Sequence, residues 1–202
     1  MSRPEYPESD LGSATVTSVP KTQFRAAMAT VATGVTVVAT DGRLGRFAQT
    51  VSAMCAVSDE PPSLLVCVNH RSPLNEAIQA HGSFAVSVLG KQHDHVADTF
   101  AGRPWPGKER WDFTCGEWAR TASGAPRVAD AVASFDCGLH TVLTIGTHHI
   151  YVGVIRDATV AGGTPLVYSD RRYAQPEAFA PSAFPAFPGS GPGHRDEQRT
   201  PR

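Results

Sequence analysis

The stretch TVSAMCAVSDEPPSLLVCVNHRSPLN, residues 50–75, contains the strongest local structural signals in the sequence. It predicts a strand that ends near Val57, because the run Asp59-Glu60-Pro61-Pro62 cannot lie inside a strand: proline lacks the amide donor that a sheet ladder needs. A continuous apolar run then predicts a buried strand over 64–69. Ser72-Pro73 follows as the capping residue and first position of a helix. The stretch therefore predicts a strand, a tight corner, a second strand and a helix.

The same kinds of signal predict the elements on either side of this stretch. Thr22 predicts the N-cap of a short helix, which Gly34 would end. Within that helix Phe24, Met28 and Val31 have the spacing of one buried face. The other predicted elements are strands at 35–40, 47–57, 83–89, 135–145, 150–155 and 166–168, helices at 72–80 and 92–101, and a hairpin at Asp41-Gly42.

These elements amount to about seven strands and three short helices, without regular strand–helix alternation. A doubly wound parallel sheet is therefore disfavoured, and a mainly β fold, an antiparallel barrel with short peripheral helices, is favoured. The polar residues 1–20 predict a flexible N-terminal arm, and the Pro-, Gly- and Ala-rich residues 176–202 predict a C-terminal tail. We then expect one domain over residues 21–175.

The composition argues against several classes of protein. The 202 residues carry a formal net charge of −1, and no run of Lys or Arg stands out, so a surface for nucleic acid or an anionic membrane is not expected. No stretch approaches the length of about 18 apolar residues that a membrane span requires. The first residues do not have the pattern of a signal peptide. A cytoplasmic location is the default expectation.

The sequence also lacks the motifs of several common catalytic and metal sites. GxGxxG, GxxxxGK[ST], HExxH and GxSxG are absent, so a nicotinamide or flavin would not be held by a Rossmann phosphate loop. The four cysteines form no CxxC pair, which leaves a zinc ribbon without support. His93 and His95 would point to different sides of a helix, so no metal site is expected there.

Three groups of polar residues remain as candidates for ligand binding. Thr50 and Ser52 would share one face of a strand, where their hydroxyls could hold a phosphate or sugar chain, or could simply decorate a half-exposed strand. Arg71 and Ser72 lie between a strand end and a helix start, where free amides and a guanidinium could bind phosphate; a solvated arginine is the alternative. His148 lies in a predicted turn, where it could contact a ligand or face solvent.

Five blocks of the sequence, taken in order, resemble the flavin reductase-like family. They are FRAAMATVATGVTVVAT (24–40), TVSAMCAVSDEPPSLLVCVN (50–69), FAVSVL (84–89), GTHHIYVGVI (146–155) and PLVYSDRRY (165–173), and the resemblance extends over about 150 residues. It implies a split β-barrel homodimer that binds FMN or FAD without a covalent bond. It also implies hydride transfer from NADH or NADPH to the flavin, and release of reduced flavin to a separate flavin-dependent oxygenase.

The resemblance assigns residues to the site by position. The implied flavin-binding residues are Thr50, Val51, Ser52 and Ala53 at the ribityl-phosphate and ring edge, Cys67, Val68 and Asn69 along the ring, Arg71 and Ser72 near the phosphate, and Phe100 at the border of the site. The implied nicotinamide-side residues are His148 and Tyr173, and no catalytic acid or base is implied. Thr147 stands where the family's turn has Asp, which leaves the nicotinamide contact open.

Two other interpretations share the same barrel. A pyridoxamine-phosphate-oxidase-like enzyme would hold FMN tightly, whereas a non-catalytic flavin- or haem-binding protein would bind its ligand without turnover. The departure at Thr147 is the sequence feature that favours the second of these. A reductase would need little chemistry from the protein, because hydride transfer belongs to the cofactors and the protein mainly stacks them and excludes water.

Overall fold

The computed structural model describes residues 18–107 and 109–178. The predicted arm at 1–20 and tail at 176–202 lie outside the described residues, except for residues 18–20 and 176–178. The helices of the described ranges are α1 (Lys21–Ala29), α2 (Leu74–His81) and α3 (Asp94–Phe100), with short 3-10 turns at Lys91–His93 and Phe113–Cys115. The strands are β1 (Thr33–Gly34), β2 (Thr36–Gly42), β3 (Gly45–Val51), β4 (Met54–Asp59), β5 (Pro62–Asn69), β6 (Ser83–Val88), β7 (Trp118–Arg120), β8 (Pro126–Val128), β9 (Ala133–Ile145), β10 (His148–Val160), β11 (Val167–Ser169) and β12 (Arg172–Ala174).

Seven antiparallel strands form the main sheet, in the order β3-β2-β6-β9-β10-β5-β4. The sheet curls far enough for β3, at one edge, to approach β5, the second strand from the other edge. A three-stranded sheet, β1-β11-β12, and a two-stranded sheet, β7-β8, complete the fold of the described residues. The prediction of a mainly β, antiparallel split barrel with short peripheral helices is confirmed.

Two apolar cores lie on opposite faces of β2. Val38 points into the first core, whose largest fully buried side chains are Tyr151 and Phe84. Val37 points into the second core, where Phe100 of α3 is also fully buried. Because both faces of β2 are covered, Thr36 to Thr40 are all buried instead of alternating between core and solvent.

The two predicted hairpin corners are confirmed. Gly42 pairs with Gly45 across the two-residue loop Arg43-Leu44, so Asp41-Gly42 ends β2 and the turn itself comes two residues later than predicted. Asp59 pairs with Pro62 where the double proline separates β4 from β5. Both corners adjoin residues that favour turns through their own backbone preferences, so both could be predicted from the sequence.

The second helix is close to its prediction and is shorter at its start. Pro73 is the N-cap residue and α2 begins at Leu74. The Oγ of Ser72 accepts a hydrogen bond of 3.3 Å from the Leu74 amide, so Ser72 caps the helix from one position further out than predicted. Gly82 ends the helix with a φ of 71°, a left-handed conformation that glycine adopts without strain.

The first helix differs from its prediction. It begins after Pro20 and has no side-chain cap, so Thr22 is not its N-cap, and it ends at Ala29 well before Gly34. The predicted buried face is exposed: α1 has no buried residue, and Phe24, Met28 and Val31 are all about half exposed. The spacing of the apolar residues was correct, but nothing among the described residues covers the face that they form.

Several strand predictions also change. The strand predicted at 47–57 is broken at Ser52-Ala53 into β3 and β4, and β10 extends beyond the predicted 150–155 in both directions. The short strands β1, β7, β8 and β12 were not predicted. The break at Ser52-Ala53 matters for the site, because it leaves a gap in the barrel wall. No helix among the described residues is long and apolar enough to span a bilayer.

Candidate ligand-binding site

The break after β3 adjoins a cavity of about 150 Å³. Its lining includes four of the predicted site residues and four others: Thr50, Val51, Ser52 and Tyr173, with Val35, Ala101, Arg103 and Tyr168. The Oγ1 of Thr50 donates a 2.7 Å hydrogen bond to the carbonyl of Ala97 and so fastens β3 to α3. That bond uses the only proton of the hydroxyl, so Thr50 offers a ligand an acceptor, while the exposed hydroxyl of Ser52 has no partner among the described residues.

A charged network forms part of the cavity wall. The Arg103 Nη2 donates to Asp98 Oδ1 at 2.9 Å, and the Tyr173 hydroxyl donates to the same oxygen at 2.8 Å. The hydrogen bond from Arg103 to Asp98 raises the pKa of the guanidinium, while burial, helped by the bond to Asp98, raises the pKa of the Tyr173 phenol. Arg103 therefore remains a cation and Tyr173 a neutral hydroxyl at physiological pH. The rings of Tyr173 and Tyr168 meet edge to face, with centroids 5.4 Å apart.

The corner between β5 and α2 uses most of its own backbone donors. Five amides donate to protein acceptors: His70 to the Thr147 carbonyl, Arg71 to the Asn69 side chain, Ser72 to the Asn69 carbonyl, Leu74 to the Ser72 hydroxyl, and Asn75 to the Ser72 carbonyl. These amides are not free, contrary to what the sequence predicted. The side chain of Arg71 is different: it is exposed and forms no ion pair in residues 18–107 or 109–178. An anion at this corner would therefore be held by the guanidinium.

The predicted turn before His148 lies against this corner. Ile145 pairs with His148 across the two-residue turn, in which Gly146 has a φ of 55°. His148 then pairs with Asn69, the last residue of β5. The Thr147 Oγ1 lies 3.0 Å from the His148 Nδ1, so the threonine that departs from the family pattern is within hydrogen-bond distance of the imidazole.

The cavity and the corner lie at neighbouring strand ends. The Cys67 amide donates a 3.0 Å hydrogen bond to the Ala53 carbonyl, which joins the break after β3 to the last residues of β5. Burial raises the pKa of the half-buried Cys67 thiol, so the thiol stays protonated and presents an apolar surface at physiological pH. The structure thus brings Thr50–Ala53, Cys67, Asn69–Ser72 and His148 to one end of the barrel.

Two predicted site residues are placed differently. Val68 is fully buried in the core inside the barrel. Phe100 is fully buried in the other core, where its ring meets Phe113 and Trp118 at centroid distances of 5.0 and 5.3 Å. Neither side chain offers a surface to a ligand in the described chain. The next residue, Ala101, is the one that lines the cavity.

The sequence did not indicate the Arg103–Asp98 pair or Tyr168. Asp98 and Arg103 are five positions apart, which is not the spacing of a helical ion pair. The chain leaves α3 through Gly102, whose φ of 79° turns Arg103 back towards Asp98. Gly102 is a local signal that the chain turns here, but it does not identify Asp98 as the partner of Arg103.

His93, in the 3-10 turn before α3, and His95, in α3, are not arranged as a metal site. His93 is buried, its Nδ1 accepts from the Gly90 amide at 3.0 Å, and its Nε2 lies 2.8 Å from Asp130. Both ring nitrogens therefore have protein partners. No group of three or more His, Cys, Asp or Glu side chains within the described ranges is arranged to hold a metal ion.

Comparison with known proteins agrees with this architecture. A split barrel with a polar, partly open cleft at its strand ends defines a ligand-binding β protein. The family described as "Flavin reductase like domain" matches residues 28–177, and the chain belongs to this family. The chain is 39% identical to FMN reductase (NADH) RutF 1 of Methylorubrum extorquens (strain PA1), over 96% of this chain and 91% of that relative. It is also 39% identical to FMN reductase (NADH) RutF of Ancylobacter novellus, over 82% of this chain and 91% of that relative.

Solved structures show the same fold. BorF, the flavin reductase component of a bacterial two-component tryptophan halogenase, superposes with a TM-score of 0.69 at 34% identity, covering 77% of this chain and 98% of BorF. The Streptomyces globisporus C-1027 NADH:FAD oxidoreductase SgcE6 gives a TM-score of 0.68 at 33% identity, covering 81% of this chain and 95% of SgcE6. The similarity therefore extends over nearly the whole length of BorF and of SgcE6, and over about four fifths of this chain.

Proposed function

We propose that this chain is an NADH-dependent flavin reductase that reduces FMN or FAD by hydride transfer and supplies the reduced flavin to a separate oxygenase component. The observation that carries the proposal is the position of three polar side chains at one end of the barrel: Ser52 at the break after β3, Arg71 at the corner, and His148 opposite Asn69. The hydrogen bond from Cys67 to Ala53 joins the break to β5. Relatives named FMN reductase (NADH) and reductase components of two-component systems support the same activity.

The residues present fit a flavin nucleotide. Its phosphate needs a cation, and Arg71 is exposed without an ion-pair partner among the described residues, while Arg103 lies in the adjacent cavity. Its ring needs apolar surface with hydrogen-bonding groups at the edge. The protonated Cys67 thiol supplies apolar surface, and the hydroxyls of Thr50 and Ser52 supply polar groups. We assign the flavin to the cleft between Thr50–Ala53 and Asn69–Ser72 on these grounds.

The chain's own part in the reaction is to bind and orient. The flavin, when bound, supplies the hydride acceptor. Arg71 would hold the phosphate, and His148 would contact the nicotinamide side, with its ring oriented by Thr147 at 3.0 Å. Tyr173 is not suited to act as a base, because burial and its bond to Asp98 raise the pKa of its phenol. Hydride transfer itself needs no proton from the protein.

Release of the product also follows from the geometry. Ser52, Arg71 and His148 are all exposed, so a ligand held by them remains accessible from solvent. A reductase that releases reduced flavin to another protein needs a solvent-accessible site, since a ligand buried on all sides would dissociate slowly. A pyridoxamine-phosphate-oxidase-like enzyme, by contrast, would keep its FMN.

Steady-state oxidation of NADH with added FMN or FAD tests the activity. We expect turnover that depends on free flavin, and we expect protein purified with flavin to lose its colour during dialysis. Flavin binding without any NADH oxidation would instead identify a non-catalytic binding protein. Retention of colour through dialysis would favour the oxidase-like alternative.

We also propose that the protein is a homodimer, built on the outer face of the barrel wall. Cross-strand pairs on that face are apolar: Cys55 with Leu65, Leu65 with Val152, Cys67 with Ile150, and Ile150 with Leu143. The intervening residues of β5 and β10, such as Val66 and Tyr151, point into the core, so this second apolar face needs another partner.

Light scattering should give a dimer for the wild type and a folded monomer for Ile150→Asp. A monomeric wild type would contradict the proposal.

A further inference from the structure

A second cavity lies beside the candidate flavin cleft and has an aromatic lining. Its volume is about 250 Å³, and it is lined by Arg46, Phe47, Ala48, Ser72, Pro73, Trp111 and Phe113. Ser72 belongs to the corner already described, so this cavity, the Trp111 cavity, opens next to the proposed phosphate position. Ala48 and Thr50 are two residues apart on β3, or about 7 Å, so the same strand borders both cavities.

Trp111 is held in an unusual conformation at the edge of this cavity. Its φ is 58°, in the left-handed region, although it is not a glycine. Its amide donates to the Thr99 carbonyl at 3.3 Å, and the Cζ2 of its ring lies 4.0 Å from the position that a Cβ on Gly102 would occupy. Despite these constraints, the residue is 51% exposed. A bulky side chain fixed in a strained backbone and left half exposed is typical of a residue that contacts a ligand.

Arg46 and Phe113, which also line the cavity, are held by contacts of their own. The Arg46 Nε donates to Asp41 Oδ2 at 3.2 Å, and its guanidinium lies 5.2 Å from the centroid of the Phe113 ring. Phe113 in turn packs against Trp118 at a centroid distance of 4.7 Å. The cavity therefore has two aromatic walls and a cation whose plane is held in place. A flat, electron-rich heterocycle suits such a lining, because it can stack on the rings and accept a hydrogen bond from the guanidinium.

We propose that the Trp111 cavity, which opens beside the Arg71–Ser72 corner, binds the adenine ring of a dinucleotide. The proposal rests on the proposed flavin reductase function and adds a subsite to it. Pockets for whole ligands have volumes of about 300–1,000 Å³, so a smaller cavity suits one part of a ligand. Both FAD and NADH carry an adenine, and FMN does not. The cavity would therefore favour FAD over FMN if it serves the flavin, or NADH over reduced nicotinamide mononucleotide if it serves the reductant.

The test compares Trp111→Ala with Trp105→Ala. Trp105 is a matched control, because it is 46% exposed in the same connection between α3 and β7 and does not line the cavity. If adenine comes from FAD, we expect Trp111→Ala to raise the ratio of the Kd for FAD to the Kd for FMN about tenfold, the size of a lost base–aromatic stack. If it comes from NADH, the ratio of the KM for NADH to that for reduced nicotinamide mononucleotide should rise by a similar factor. Trp105→Ala should change neither ratio.

Two outcomes would overturn the proposal: unchanged ratios in both arms, including the case in which FMN and FAD binding weaken equally, or the same effect from Trp105→Ala. Trp111→Phe should restore most of the affected ratio, which distinguishes a lost stack from a damaged fold.

Titration with AMP provides a readout that needs no turnover: quenching of tryptophan fluorescence is expected in the wild type and in Trp105→Ala, and should be lost in Trp111→Ala. Absence of flavin-dependent NADH oxidation by the wild type would contradict the proposed function, whereas normal turnover with unchanged ratios would contradict only the subsite.

Discussion

His148, the first residue of β10, lies directly opposite Asn69, the last residue of β5. This pairing brings a turn from the second half of the chain against the corner that starts α2. The amide of His70 strengthens the contact by donating to the Thr147 carbonyl at 3.0 Å. Residues almost eighty positions apart in sequence therefore form one surface, and this surface is where the proposed nicotinamide contact can be tested.

His148→Ala should raise the KM for NADH about two- to tenfold, the size expected for one lost hydrogen bond, and should leave the Kd for FMN nearly unchanged. His149→Ala is the matched control, because adjacent strand residues point to opposite faces and the His149 Nδ1 is within 2.9 Å of the Thr144 hydroxyl. Steady-state kinetics and flavin titration provide the two measurements. Unchanged kinetics in His148→Ala would show that this histidine simply faces solvent.

Arg71→Ala should weaken FMN binding about ten- to a hundredfold, because charge-assisted hydrogen bonds to phosphate are among the stronger ones, and should affect riboflavin little. Arg43→Ala is the control, since Arg43 is an exposed arginine in the β2–β3 hairpin loop. Fluorescence titration with both flavins gives the ratio. Equal losses for FMN and riboflavin would remove Arg71 from the phosphate site. A phosphate-specific loss in Arg103→Ala alone would move the phosphate to the cavity after β3.

More of the fold than of the site could be predicted from the sequence, and particular residues show the physical reason. Pro61-Pro62 restricts the backbone, and Asp41-Gly42 favours a turn nearby, so both corners were predictable. Phe24, Met28 and Val31 encode an amphipathic face but not what covers it, so their burial was predicted wrongly. The assignments of Thr50 to Ser72 and of His148 came from family resemblance and remain predictions.

Arg103 shows why the remainder was not predictable. Its place beside Thr50 depends on where α3 packs, and α3 is fastened to β3 by the hydrogen bond from Thr50 to Ala97. The position of Trp111 depends in the same way on the path of the chain between α3 and β7. Contacts of this kind join elements far apart in sequence, and no local pattern encodes them.

Stability should fall at alkaline pH, and Cys137 should contribute to that fall. Burial raises the pKa of this thiol from 9.0 to about 12, and the charge of Asp136 acts in the same direction. The folded state thus favours the protonated thiol, and this contribution is complete below pH 9 and is lost as the pH rises from 9 towards 12. The free energy of unfolding should lose on the order of 1 kcal/mol from this group between pH 7 and pH 10.

Denaturant titrations of the wild type and Cys137→Ala at the two pH values isolate that contribution. The substitution should destabilise the protein at pH 7 because it leaves a small cavity, but the further loss on going to pH 10 should be smaller than in the wild type. Val86→Ala is the control, because this fully buried side chain also leaves a small cavity but has no group that titrates. Equal losses in the wild type and in Cys137→Ala would show that this thiol does not contribute to the alkaline decline.

Gly153 allows the closest packing of the barrel wall against the core, and Gly153→Ala should therefore destabilise the fold. A Cβ at this position would lie 2.6 Å from the Cζ of Phe84 and 2.9 Å from the Cβ of Cys137. Phe84 is fully buried and has no free space into which its ring could move, so strain of about 1–3 kcal/mol is expected in the free energy of unfolding. Gly34→Ala is the matched control in a strand, since nothing lies within 4 Å of its Cβ position. Urea titration should show a lower midpoint for Gly153→Ala and an unchanged or higher one for Gly34→Ala; similar midpoints for both variants would contradict the close contact with Phe84.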